Sequence, residues 1–140
     1  MAGLWLSDGL ADLAVLRSTE PAELGSSRQS GCYPLAPYSN RLGYTRFRWL
    51  GQDHSTAPNF DDNPHSVHGV AWQRAWSVLS SSADQAELQY SHTPDAHWPF
   101  AFTVRQRFVL TPDALEVHLA FTNQHTQTQP AGLGWHPYFP

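Results

Sequence analysis

The strongest constraint on the fold is a pair of alternating segments joined by a turn that contains proline. Residues 102–110 and 114–121 flank Thr111-Pro112-Asp113, which puts proline where a tight turn favours it. In the second segment every other side chain is apolar, as in a strand with one face on a core. The pattern predicts an antiparallel β-hairpin whose outer face carries Glu116 and His118.

The rest of the chain continues as short strand-like segments separated by turn signals, with almost no helical periodicity. Further strands are predicted over residues 3–6, 10–16, 44–50, 75–79 and 86–90. The Asp8-Gly9 pair between the first two predicts a hairpin turn. Polar or irregular loops are predicted over residues 17–31, 51–66 and 122–130. An all-β fold follows from this order of elements.

Composition excludes several classes of function. The 140 residues suffice for one modest domain, and 41% hydrophobic residues favour a folded chain. A net charge of -4 gives no basic surface for nucleic acid. The eight cationic residues are all arginine, so neither a Schiff-base lysine nor a Walker-type phosphate loop is present.

Cysteine content and the N-terminal residues set an expectation for location. Cys32 is the single cysteine, which leaves no partner for an internal disulfide. The first residues lack the pattern of a signal peptide, and no apolar run approaches the ~20 residues that span a membrane. We therefore expect a cytoplasmic protein without membrane contact. The sequence does not indicate an oligomeric state.

Metal binding and nucleophilic catalysis are both weakly supported by the residues. His65 and His68 stand three apart, but Pro64 and Gly69 flank them, and in an extended segment their side chains point to opposite faces. A G-x-S-x-G elbow is absent, and Cys32 has no base close in sequence. No metal site and no covalent nucleophile are expected.

Acid–base chemistry on a neutral polyol fits the polar residues better. Histidine titrates near neutral pH, and asparagine and arginine offer directional donors for sugar hydroxyls. Asn40, Arg41, His68 and His136 each lie in a segment punctuated by proline or glycine. The chain also contains six tryptophans, five tyrosines and seven phenylalanines, which favour a sandwich core or a wall for a sugar ring.

Four segments together resemble the aldose 1-epimerase (galactose mutarotase-like) family in order and spacing. They are PLAPYSNRLGYTRFRWLG, PHSVHGVAWQRAW, WPFAF and GLGWHPYF, and the resemblance extends from about Gly31 to the end of the chain. It implies a large antiparallel β-supersandwich, incomplete in this chain. Residues 1–140 are then expected to be a partial domain that lacks its C-terminal portion.

The resemblance also implies an activity and site residues. The family is an isomerase class that interconverts the α and β anomers of free hexoses such as galactose or glucose, without a metal or organic cofactor. His136 and His68 take the catalytic positions, while Asn40, Arg41, His68 and Tyr138 take the sugar-binding positions. The catalytic glutamate and a sugar-binding aspartate of the family lie in the C-terminal portion, so impaired activity is expected of this chain.

Two alternatives remain open at this point. A non-catalytic carbohydrate-binding module on the same scaffold needs only the aromatic residues with Asn40 and Arg41. A protein acting on hexose phosphates needs a cationic pocket, which the sequence cannot assemble from its scattered arginines. Trp135 stands where threonine is common in the family, which leaves the substrate subclass open.

Overall fold

The computed structural model describes residues 1–140, which form β-strands joined by turns and loops. The twelve strands are β1 (Leu4–Ser7), β2 (Asp12–Leu16), β3 (Cys32–Leu35), β4 (Arg41–Leu42), β5 (Arg46–Trp49), β6 (Gln52–Ser55), β7 (Ser66–Val67), β8 (Ser77–Ser81), β9 (Gln85–His92), β10 (Phe102–Leu110), β11 (Leu115–Asn123) and β12 (Gly134–Pro137). Short 3-10 helices lie at Pro21–Glu23, Ser27–Gln29, Gly43–Thr45 and Ala71–Gln73. None of these helices has the length and apolar character needed to cross a membrane. The all-β expectation is confirmed.

The largest sheet has four antiparallel strands in the order β11-β10-β9-β8. Its centre is the hairpin that the sequence predicts, with register running from Phe102 opposite Asn123 to Leu110 opposite Leu115. Glu116 lies on the exposed face, as expected. The side-chain alternation of these long strands therefore gives the sheet one face for packing.

The main hydrophobic core lies against one end of that face. Phe102 and Val104 of β10 are fully buried, and the Phe102 ring stacks on Phe121 of β11 at 5.0 Å between centroids. Trp98 and Phe100, from the loop between β9 and β10, complete the aromatic centre of this core. Tryptophan and phenylalanine thus serve mainly as packing in this region.

Four two-stranded pairs surround the sheet: β1-β2, β3-β12, β4-β7 and β5-β6. Every residue of β3 is buried, although it is only four residues long. The pairs β3-β12 and β4-β7 join segments far apart in sequence, which carry the predicted site residues. The short pairs, rather than the large sheet, position the candidate site.

The predicted loop over residues 51–66 is wrong at both ends, because it contains β6 and the first residue of β7. β5 and β6 form a hairpin whose turn residues Leu50 and Gly51 both have positive φ, 47° and 81°. Leucine is uncommon in that conformation, so the sequence carries no ordinary turn signal here. The predicted strand over 44–50 also begins late, since Gly43–Thr45 is a 3-10 turn.

Truncation of Phe102 tests the position of the core. Phe102→Ala should lower the free energy of unfolding by about 3–5 kcal/mol, because it leaves a cavity beneath the sheet. Leu110→Ala on the same strand is the control, since that side chain is 46% exposed and should cost far less. Urea denaturation of both variants measures the difference, and equal losses would contradict this core assignment.

Candidate functional site

His136 is positioned by the pairing of β12 with β3. The antiparallel register sets His136 directly opposite Tyr33. Their rings stack at 4.9 Å between centroids, with 20° between the planes. Because β3 is buried on both faces, Tyr33 forms a rigid support for the imidazole. A contact between residues about one hundred positions apart thus fixes one predicted catalytic side chain.

Tyr138 contacts both His136 and Tyr33, and these three side chains form an aromatic cluster. Its ring lies 4.8 Å from that of His136, and its hydroxyl is 3.3 Å from the Tyr33 hydroxyl. The Arg17 guanidinium carbon sits 3.9 Å from the centre of the Tyr138 ring, in cation–π geometry. The Arg17 backbone N–H also donates to the Tyr138 carbonyl at 2.7 Å. Arg17 therefore ties the end of β2 to the segment that contains His136.

His68 reaches the cluster from the turn that follows β7. Its backbone N–H donates to the Asn40 carbonyl oxygen at 2.8 Å, next to the pairing of Arg41 with Val67. The His68 ring meets the His136 ring edge to face, with centroids 5.2 Å apart and planes at 75°. The two histidines predicted from the sequence are therefore neighbours, brought together by two separate strand pairs.

Asn40 and Arg41 lie at the margin of this cluster and are both exposed. Asn40 has a φ of 59°, a left-handed conformation that asparagine tolerates better than most residues. The structure thus groups His68, His136 and Tyr138 by direct ring contacts and places Asn40 and Arg41 beside His68. The functional roles of these five residues remain predictions.

Other residues complete the cluster but do not stand out in the sequence. Trp72 stacks on Tyr33 at 5.4 Å and meets the His68 ring edge to face at 6.1 Å. Asn59 hydrogen-bonds the backbone on either side of His68. The signal for Asn59 is general: an asparagine near a turn often bonds to backbone groups. Tyr33 and Trp72 read from sequence only as core aromatics.

Gly69, directly after His68, is required by packing. Its φ is 70°, and a β-carbon there would collide with the carbonyl oxygen of Ala36. That oxygen accepts hydrogen bonds from the backbone N–H groups of Val70 and Ala71 at 2.9 and 3.1 Å. The glycine lets the turn approach the end of β3 closely, which brings His68 towards His136.

Burial and neighbouring charge govern the electrostatics of the cluster. Burial lowers the pKa of His68, and the adjacent His136 and Arg41 lower it further. The neutral imidazole of His68 is therefore favoured at neutral pH. The Nδ1 atoms of His68 and His136 are both buried without a hydrogen-bond partner in the protein. Each ring therefore keeps unused hydrogen-bonding capacity within the cluster.

Burial also acts on the tyrosine pair. It raises the pKa of Tyr33, and the hydrogen bond to Tyr138 raises it further. Tyr33 is thus a neutral phenol at physiological pH, able to donate or accept a hydrogen bond.

Two further polar residues near His68 in sequence lie apart from the histidine pair. His65 accepts a hydrogen bond at Nδ1 from the Tyr44 backbone N–H at 2.8 Å, so its side chain contacts the β4–β5 connection. Asp61 forms an exposed ion pair with Arg28 at 3.1 Å. Neither side chain contacts His68 or His136 in the aromatic and hydrogen-bond network described above.

Fold and site together define an all-β protein of the galactose mutarotase-like type, with a histidine pair at a strand junction. The sequence model described as aldose 1-epimerase matches residues 4–140. The chain therefore belongs to the aldose 1-epimerase family.

Two proteins of Escherichia coli K12 are similar in sequence to this chain. The uncharacterised Escherichia coli K12 protein YphB is 40% identical over 116 residues, which cover 83% of this chain and 39% of YphB. A second uncharacterised protein of that strain, YihR, is 28% identical over 105 residues, covering 74% of this chain and 34% of YihR.

Solved structures share the fold. A candidate aldose 1-epimerase from E. coli K12 superposes with a TM-score of 0.83 at 38% identity, covering 91% of this chain and 42% of that one. A galactose mutarotase-like protein from Lactobacillus casei gives 0.70 at 18% identity, over 90% and 39% of the two chains. The chain thus spans about two fifths of the length of these relatives.

Substitution of Arg41 tests the electrostatic account of His68. Arg41→Gln should raise the pKa of His68, because it removes a nearby positive charge that opposes protonation. Titration of the histidine ring resonances by NMR measures the shift. Arg48→Gln is the control, since Arg48 pairs with Asp53 on the β5-β6 hairpin. An unchanged or lowered His68 pKa in Arg41→Gln would contradict the proximity of the two groups.

Proposed function

We propose that this chain carries the acid and sugar-binding part of an aldose 1-epimerase site that acts on a free hexose such as galactose or glucose. The observation that carries the proposal is the His68–His136 pair, whose rings touch and whose buried Nδ1 atoms have no protein partner. Membership of the aldose 1-epimerase family supports the same chemistry.

The reaction needs one proton removed and one delivered. A base takes the proton of the anomeric hydroxyl, the bond between C1 and the ring oxygen breaks, and the ring oxygen takes a proton from the acid. The product is the open-chain aldehyde, which rotates about the C1–C2 bond and closes on its other face by the reverse steps. In this proposal His136 is the acid, as the family resemblance implies, and the stacked Tyr33 ring holds its imidazole in one orientation.

His68 and the exposed pair beside it bind the sugar in this proposal. A neutral His68, favoured by its lowered pKa, can donate a hydrogen bond to a sugar oxygen without adding charge beside His136. Asn40 and Arg41 are exposed next to it and supply further donors for hydroxyl groups. Tyr33 and Trp72 are buried, so they support the histidines rather than forming a wall against the sugar.

We assign none of the carboxylates in residues 1–140 as the base. Asp61 and Asp62, the carboxylates nearest to His68 in sequence, are both exposed, and Asp61 pairs with Arg28. The charged groups that act on His68 are His136 and Arg41, both basic. This observation favours a second candidate function for the chain, the binding of a sugar without turnover.

The hexose-phosphate alternative receives less support. Arg48, Arg74 and Arg105 each pair with their own carboxylate, on different parts of the fold. The side chain of Arg17 donates to backbone carbonyls, including that of Ser30 at 2.7 Å. These arginines do not converge into one cationic pocket.

Replacement of His136 tests the proposed site. His136→Asn should weaken galactose binding about tenfold, the value of one hydrogen bond to a polar ligand. Tryptophan fluorescence during titration with galactose measures affinity. Polarimetry of fresh α-galactose measures anomerisation, which should be slow in this chain and slower still in the variant.

His118→Asn is the matched control, because His118 lies exposed on the outer face of β11. It should bind galactose as the unaltered chain does. Equal affinity and equal anomerisation in His136→Asn would contradict the role of His136. Rapid anomerisation by the unaltered chain would instead contradict the absence of a base.

A further inference from the structure

His68 occupies a backbone conformation that needs external support. Its φ is 63°, and that of Gly69 is 70°, so two consecutive residues are left-handed. Glycine adopts this conformation freely, but a residue with a β-carbon is disfavoured there. Without bonds from elsewhere in the fold, the turn would relax and the imidazole would leave its position beside His136.

One side chain supplies three of those bonds. The Asn59 Nδ2 group donates to the carbonyl oxygens of Val67 and Gly69, both at 2.8 Å. The Asn59 Oδ1 atom accepts from the Val67 backbone N–H at 2.7 Å. A single carboxamide therefore binds the backbone on either side of His68, and both its nitrogen and its oxygen take part in these hydrogen bonds.

Neighbouring groups hold the Asn59 backbone and bond to the same turn. The Gln73 side-chain amide donates to the Asn59 carbonyl oxygen at 2.9 Å, which holds the Asn59 backbone in place. The Trp72 indole N–H lies 3.2 Å from the same two carbonyl oxygens of Val67 and Gly69. Trp72 belongs to a buried hydrophobic cluster, whereas Asn59 is half-buried. Replacement of Asn59 should therefore disturb the packing of the core less than replacement of Trp72.

We propose that Asn59 is a positioning residue of the sugar site, holding the turn at His68 so that its imidazole meets that of His136. The Asn59 side chain bonds only to backbone groups and acts through His68. That Asn59 serves a sugar site rests on the proposed function, whereas its role in holding the turn at His68 does not. An aspartate at this position would set an oxygen against two carbonyl oxygens, so the carboxamide is specifically required.

The test compares Asn59→Ala with Asn63→Ala in the 140-residue chain. Asn63 lies in the same loop, and its Oδ1 accepts one bond from the His65 backbone N–H at 3.0 Å, away from His68. Histidine-labelled NMR reports two quantities: the nuclear Overhauser effect between the His68 and His136 rings, and the titration of His68. Asn59→Ala should lose the ring contact and raise the pKa of His68 towards its ordinary value, whereas Asn63→Ala should change neither.

Global unfolding is separated from local repositioning by a second variant. Asn59→Asp keeps the acceptor for the Val67 N–H and loses both donated bonds, so it should also lose the contact between the two rings while the Phe102–Phe121 contact persists. A folded Asn59→Ala or Asn59→Asp variant with the ring contact intact would overturn the proposal. Galactose titration of the unaltered chain is scored separately: failure to bind rejects the sugar site and leaves the geometric comparison standing.

Discussion

The antiparallel pairing of β12 with β3 is the contact on which the candidate site depends. It joins the last strand to a buried strand about one hundred residues earlier and sets His136 opposite Tyr33. Without that register, the His136 imidazole would lose the Tyr33 ring on which it stacks. A shift of one residue would turn the imidazole to the other face of the pair.

The second histidine depends on a different kind of constraint. Two consecutive left-handed residues put His68 at the point where β7 ends. Asn59 from the preceding loop and Trp72 from the 3-10 turn that follows hold that conformation. Strained backbone of this sort persists only where the surroundings over-determine it. The site is thus built from one rigid strand pair and one clamped turn, which meet at the contact between the two imidazoles.

Strands with a long, local side-chain pattern can be predicted from the sequence. The β10-β11 hairpin follows from alternation over residues 115–121 and a proline turn, and its two strands lie close to the predicted ranges. Strands β4 and β7 cannot be predicted in this way, because each is two residues long and has no periodicity. The site residues came from motif resemblance, which names His68 and His136 but not their supports. Asn59 and Tyr33 act through contacts between distant segments, and no local pattern encodes those.

The central claim is that His68 and His136 form one sugar-contacting pair. Titration of galactose into histidine-labelled protein, followed through the imidazole nitrogen resonances, tests it most directly. The account predicts that the resonances of His68 and His136 shift together along one saturating curve, while those of the exposed His118 stay fixed. Shifts confined to other histidines, or separate curves for His68 and His136, would contradict it.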